Sequence, residues 1–155
     1  MTDFDDLIGS ETVSFGVPVS DKKQLFELIA RMAAEHAGVP APEAEAQLFD
    51  REKLGSTGFG DGVAIPHGRL DGIDRPFGLF LRLAEPVDYD SVDDVPVDCV
   101  FALFSPKDDG ATHLRALARV SRQFRDSDFV AKLRGARSAD ALYALMTDLE
   151  AADAA

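Results

Sequence analysis

The run Val97-Asp98-Cys99-Val100-Phe101-Ala102-Leu103-Phe104 restricts the fold more than any other stretch of this chain. A strand with one wet face alternates polar and apolar residues, so a strand-length run that hardly alternates must be covered on both faces. The architecture this demands is α/β: a central sheet flanked by helices on both faces, with this run as its middle strand. Cys99 sits inside the run and reads as a small buried hydrophobe rather than a nucleophile. A single cysteine can form no internal disulfide, which fits a reduced, cytoplasmic protein.

The flanking elements follow from local pattern. Val13, Phe15, Val17 and Val19 recur at period two, which predicts a strand interrupted by Pro18. Ser20 or Asp21 caps a helix with Leu25, Leu28, Ile29 and Met32 on its apolar face and Gly38 at its end. His36, in the last turn of that helix, is explained by the helix dipole. Pro42 suits the first turn of a second helix that runs to about Leu54, with Arg51 one turn before Gly55. Leu79, Leu81 and Leu83 share one face of a later strand. Thr112-His113 opens a helix whose buried side is read as Leu114, Leu117, Ala118 and Phe124, with Arg115, Arg119, Arg122 and Arg125 on the other side. That basic stripe reads as a solvated face pairing with neighbouring carboxylates. Ser127 and Ser138 are placed to cap two closing helices, the second carrying Leu142, Leu145, Met146 and Leu149.

At 155 residues and 46% hydrophobic content, the chain is read as one domain, 1–155, with its core at about 10–149. The first ten residues and the Ala-rich end after Glu150 are expected to be mobile. The acidic start Met1-Thr2-Asp3-Phe4-Asp5-Asp6 does not resemble a signal peptide, and no apolar stretch is long enough for membrane insertion. A formal charge of −12 argues against nucleic acid as a partner and favours protein partners that present a basic face. Asp88, Asp90, Asp93 and Asp94 lack the spacing of a calcium loop and read as a solvated acidic loop.

Chemistry is expected at Gly55-Ser56-Thr57-Gly58-Phe59-Gly60-Asp61-Gly62-Val63-Ala64-Ile65-Pro66-His67-Gly68. Its glycines permit close backbone approach, Val63-Ala64-Ile65 reads as a brief buried strand, and Pro66 stiffens the backbone where that strand delivers His67. Neutral imidazole is a good nucleophile near pH 7, since its ordinary pKa is about 6.5. A phosphoryl group taken onto its nitrogen remains transferable. Such transfer needs positioning and charge stabilisation from backbone N–H groups, a hydroxyl or an arginine. Ser56, Thr57, the glycines and Arg51 offer these types, although Arg51 could equally pair with Asp50 or Glu52.

The stretch Arg51 to Gly68 resembles the signature of the type-2 enzyme IIA domains of the bacterial phosphoenolpyruvate-dependent phosphotransferase system, the fructose–mannitol family. Pro96-Val97-Asp98, Thr112-His113-Leu114 and Leu142-Tyr143 resemble later landmarks of that family, so the likeness covers roughly residues 10 to 149. Within the family the chain is most similar to the nitrogen-regulatory branch. Phe59 and Asp61 depart mildly from the small aliphatic and asparagine-like residues usual there.

The resemblance implies the mannitol-type fold, with a mixed sheet. It implies that His67 accepts a phosphoryl group from an HPr-like phosphocarrier protein, that Arg51 and His113 stand beside the phosphate as catalytic residues, and that Ser56, Thr57 and Gly58 form the adjoining phosphate-binding loop. No metal or other cofactor is implied. The output expected is regulatory, acting on target proteins. The alternatives are a sugar-transport subunit that donates phosphate to a fructose- or mannitol-type IIB domain, and a non-catalytic interaction module. Three histidines widely spaced in sequence make a metal-dependent hydrolase weaker still.

Overall fold

A computed structural model describes residues 4–147. Leu149 and the Ala-rich end, on which two of the expectations above bear, lie outside the described residues. The elements in chain order are β1 (Val13–Val17), α1 (Lys22–Ala37), α2 (Ala41–Lys53), β2 (Gly58–Gly60), β3 (Val63–Ala64), β4 (His67–Leu70), β5 (Phe77–Val87), β6 (Val97–Pro106), α3 (Gly110–Phe124), α4 (Ser127–Gly135) and α5 (Ala139–Thr147). The strands form one mixed sheet in the order β1-β5-β6-β3-β2, with β4 also paired to β6. β1 runs parallel to β5, β5 antiparallel to β6, and β3 and β4 both parallel to β6.

The non-alternating run is the middle strand. Val100, Ala102 and Phe104 pack toward α1 and α2 with Leu79, Leu81 and Leu83. Cys99, Phe101 and Leu103 pack on the opposite face with Phe80 and α3 to α5. Burial pushes the Cys99 thiol up to about 12, as expected of a thiol enclosed in apolar surroundings. Removing the Phe101 side chain from this two-sided core would cost about 3–5 kcal/mol.

Helix ends match local chemistry with small changes. Asp21 caps α1 by accepting from the Gln24 N–H at 2.8 Å, and Gly38 closes it in the left-handed region at φ 73°. Asp126, rather than Ser127, caps α4, accepting from the N–H groups of Asp128 and Phe129. Ser138 caps α5 through the Ala141 N–H at 3.1 Å.

Three expectations need correction. Val13 and Val17 were expected to share a face with Phe15, yet Val13 packs with α3 to α5 and Val17 with α1 and α2. Gly16, at φ 70°, inserts a bulge between Phe15 and Val17, and one extra residue reverses the alternation. The first ten residues were expected to be mobile, but Phe4, Leu7 and Ile8 are buried. Phe4 lies against Phe101, Phe124 and Phe129, and its N–H donates to the Met146 carbonyl at 3.2 Å. In α3, Leu114 and Ala118 point outward; the buried side is His113, Ala116, Val120 and Phe124. The helix tolerates a histidine on that side because the ring finds a hydrogen-bond partner there.

Candidate functional site

The glycine-rich stretch is a hairpin rather than a loop. β2 pairs antiparallel with β3 around the turn Asp61-Gly62, both at positive φ. β3 and β4 are one strand broken at Ile65-Pro66, and β6 grips the break, its Leu103 N–H donating to the Pro66 carbonyl at 3.0 Å. His67 therefore opens a strand, opposite Leu103, instead of ending one. Gly68 is required here by close approach: a side-chain carbon at this position would sit 2.7 Å from the Gln47 Cβ of α2. Its absence lets α2 lie directly on β4, which brings the last turn of α2 and Arg51 over His67.

The hydrogen bonds of His67 define its protonation. Nδ1 is 2.8 Å from the Ile65 carbonyl, which can only accept. Nε2 is 3.2 Å from Arg51 Nε, which can only donate. Both contacts are satisfied together by the neutral ring with its proton on Nδ1 and its lone pair on Nε2. Burial lowers the pKa of His67; the Ile65 contact opposes this shift and the Arg51 charge reinforces it. The ring is neutral at pH 7, with its nucleophilic nitrogen turned toward the arginine.

Arg51 also donates from Nη1 to the Gly55 carbonyl at 2.9 Å. Its neighbours are engaged elsewhere: Asp50 pairs with Lys53 at 3.6 Å and Glu52 with Lys22 at 3.0 Å. The guanidinium thus has only neutral partners among the described residues, and the pairing with Asp50 or Glu52 that its sequence position allowed is not formed.

His113, in the first turn of α3, lies with its ring centre 5.5 Å from that of His67. Its Nδ1 is 2.7 Å from Ser105 Oγ, fully buried at the end of β6. A hydroxyl can donate to Nδ1 or accept from it; in the tautomer in which it donates, Nε2 carries the proton and is a donor. Burial, then the His67 and Arg69 charges, lower the His113 pKa to about 4. The two histidines and Arg51 line one open cavity of about 490 Å³, together with Arg69, Leu54 and Leu114. Leu54 and Leu114 are 83% and 67% exposed, two large apolar side chains left in water at the rim.

Ser56, Thr57 and Gly58 do not line this cavity. Thr57 is buried, its hydroxyl donating to Glu52 at 2.6 Å and lying 2.7 Å from the Tyr89 hydroxyl. Ser56 Oγ accepts from the Gly58 N–H at 3.1 Å. A side chain at Gly58 would meet Ser91 and Tyr89, so the glycine there answers a packing need. The hairpin tip points elsewhere: Arg134 donates to the Asp61 carbonyl and to both oxygens of Asp98. These three positions were linked to phosphate through a resemblance in sequence, whereas the Ser56 and Thr57 hydroxyls are turned to internal partners and Gly58 is enclosed by Ser91 and Tyr89.

The residues sequence reasoning did not single out are Ser105, Arg69 and the two rim leucines. Ser105 carried a signal: it is the first hydroxyl after the apolar run, at the carboxyl end of a sheet strand where α/β sites collect. Leu114 carried none, because a helical period alone does not say which side of a helix is wet. Among the described residues, no group of three His, Cys, Asp or Glu side chains is placed to hold a metal ion. His36 lies 3.8 Å from Glu11 and against the Phe77 ring.

Comparison with known proteins bears on the family and the fold. Residues 6–148 match the family model described as phosphoenolpyruvate-dependent sugar phosphotransferase system, EIIA 2. A nitrogen regulatory protein of Bradyrhizobium diazoefficiens is 45% identical over 141 residues, covering 91% of this chain and 92% of the relative. A fructose-specific EIIA component of Haloferax volcanii is 32% identical, covering 89% and 90%. The crystal structure of nitrogen regulatory protein IIA-Ntr from Neisseria meningitidis superposes with a TM-score of 0.85 at 34% identity, covering 92% of this chain and 97% of that one.

Proposed function

This chain belongs to the phosphoenolpyruvate-dependent sugar phosphotransferase system EIIA 2 family, and we propose that it acts as a phosphohistidine carrier through His67. It is a phosphotransferase component similar to nitrogen regulatory proteins. The observation that carries the reading is the pair of contacts fixing Nδ1–H on the Ile65 carbonyl and leaving the Nε2 lone pair beside Arg51 and His113.

In this reading the donor is a phosphohistidine on an HPr-like carrier protein. The Nε2 lone pair of His67 forms the new N–P bond as the N–P bond of the donor breaks, and the donor imidazole leaves with that bond's electron pair. With the donor ring carrying a proton on its other nitrogen, it departs as neutral imidazole and no proton need move. The Nδ1–H of His67 stays on the Ile65 carbonyl, which supports the positive character the ring gains on phosphorylation. The phosphoryl group is loosely bonded at the transition state and its charge lies on three equatorial oxygens. Arg51 turns its guanidinium from Nε2 to those oxygens, and the His113 Nε2–H is a second donor. Leu54 and Leu114 suit a protein donor, since exposed apolar side chains around a polar centre are typical of an interaction surface.

No described helix is long and apolar enough to cross a membrane; a cytoplasmic site of action, where such carriers work, completes the reading. The output we assign is regulatory, with the charge added at His67 altering contacts with target proteins. A second reading, donation to a fructose-type IIB domain, is favoured by the fructose-specific EIIA relative. Incubation with phosphoenolpyruvate, enzyme I and the HPr-like carrier tests the chemistry: wild type should gain acid-labile phosphate and His67→Ala should not. Equal labelling of both would defeat the assignment. Transfer onward to a purified IIB domain separates the two outputs.

A further inference from the structure

The geometry points to a second anion site, on the opposite edge of the sheet from His67, that takes a small phosphate or carboxylate carried on an aromatic or other flat apolar body. The site is a cavity of about 310 Å³ lined by Phe15, Arg82, Leu83, Arg134, Ala136 and Arg137. Its place in the sheet separates it from the phosphoryl site. β1 lies beyond β5, whereas His67 lies on β4 beyond β6, so three strand spacings, about 14 Å, intervene.

Charge is the first argument. Three guanidinium groups line the cavity; Asp98 is in contact with two of them, and the charge of Asp61 also acts on Arg134. Arg134 holds Asp98 by Nε and Nη2, and Arg82 Nη1 stands 3.6 Å from it. Arg137 is exposed and has no hydrogen-bonding or ionic partner among the described residues. The surroundings therefore carry an excess of positive charge in a chain of net −12, and a cationic island in an acidic protein concentrates anions locally.

Unused hydrogen-bonding capacity is the second. Arg82 donates from Nη1 to the Leu83 carbonyl at 2.9 Å, yet its Nε is buried with no partner among the described residues. A buried donor without an acceptor is unfavourable unless something supplies one. Arg82 Nε is closed to solvent, so the donors an oxyanion in the cavity would meet are those of the exposed Arg137, whose fork matches phosphate and carboxylate in plane and spacing.

Shape is the third. Phe15 stands opposite Arg82 in the β1–β5 register and is 43% exposed, an unusual setting for an aromatic side chain on a short strand. The bulge at Gly16 is what leaves it there while Val17 turns inward. Phe15 and Ala136 offer apolar contact beside the guanidinium groups, which selects an anion with a body over a bare ion. The cavity is too small for a folded partner and large enough for a substituted ring.

Phenyl phosphate and inorganic phosphate, titrated separately into the isotopically labelled full chain and followed through backbone amide resonances, test the proposal. Phenyl phosphate should shift the amides of Phe15, Ala84 and Ala136 saturably. Arg137→Gln should weaken that binding by about tenfold or more, as the loss of a charge-assisted contact implies. Phe15→Ala should weaken phenyl phosphate binding and leave inorganic phosphate binding at the same amides unchanged. His67→Ala should leave all of these shifts in place. Arg137 and Phe15 are exposed, so both variants keep the fold, and the dispersion of the spectrum checks this. Shifts confined to Gly68 and His113, unsaturable shifts at β1, an unaltered affinity in Arg137→Gln, or saturable binding of an acidic peptide but not of phenyl phosphate would each overturn it.

Discussion

Arg51 and Arg134 anchor opposite ends of the same stretch of chain, residues 55–68, and they do so with opposite kinds of partner. Arg51 holds the Gly55 carbonyl and the His67 ring, both uncharged. Arg134 holds the Asp61 carbonyl and the carboxylate of Asp98. The second arrangement is complete in itself: cation and anion neutralise one another and the hairpin tip is fixed. At the first end the guanidinium charge has no counter-ion among the described residues, and the groups around it are the two histidines and the Gly55 carbonyl. A structural arginine is recognised by its carboxylate, and a working one by the lack of it.

That contrast can be broken by experiment, beginning with the largest effect. Arg51→Ala should slow phosphorylation of His67 by about 100- to 1,000-fold, the usual cost of removing a preorganised charge donor at a transition state. Its melting temperature should stay near wild type; a large loss of stability with little loss of rate would make Arg51 structural after all. Arg134→Ala should do the reverse. Breaking a pair that is 34% and 15% exposed, with Arg82 still facing Asp98, should cost about 2 kcal/mol in urea unfolding. Initial transfer rates should change little in that variant, and a hundredfold fall would dissolve the distinction between the two ends.

Smaller effects sharpen the picture around Arg51. Ser105→Ala removes the group that sets the His113 tautomer, and a loss of about tenfold in transfer is expected, comparable to one net hydrogen bond. Nitrogen chemical shifts of His113 should show the proton redistributed between its ring nitrogens, a change that a merely destabilising substitution would not cause. Acid should act last and least. The lowered pKa of His67 moves its protonation to more acid pH than that of an ordinary imidazole, so labelling rates should fall less between pH 7 and 6 than an unperturbed histidine would give. For His113 the folded pKa is about 4 against about 6.5 in the unfolded chain. The unfolded state therefore binds the proton first, and the contribution to stability present above pH 6.5 declines as the pH falls toward 4. His113→Asn should flatten that part of the melting-temperature profile; an unchanged slope would place the proton uptake elsewhere.

Much of the frame was legible from residues alone. The run at 97–104 announced a strand covered twice, because coverage is written in which positions are apolar. Asp21 and Gly38 marked the ends of α1 because caps are local chemistry. The meeting of Arg51, His67 and His113 came from resemblance to a family and not from spacing, since nothing in a sequence measures the distance from residue 67 to residue 113. What stayed hidden depends on contacts between distant parts of the chain. Gly68 reads as one more flexible residue until Gln47 is seen against it. Thr57 reads as a phosphate ligand until Glu52 and Tyr89 are seen to occupy its hydroxyl. The outward turn of Leu114 follows from Ser105 claiming His113 for the inner side of α3.

The Phe4 amide bonded to the Met146 carbonyl has a bearing on how the molecule is made. The aromatic cluster around Phe4 draws on Phe101, Phe124 and Phe129, and its backbone partner is later still. During synthesis the earliest of these side chains must wait until Phe129 and Met146 have been made before its cover exists. β1 waits similarly for β5. Contacts of such long sequence separation slow folding and lengthen the exposure of apolar surface. The nascent chain is thus a natural client for chaperones until α5 emerges, and shortening it at either end of residues 4–147 should lower the yield of folded protein before it touches the chemistry at His67.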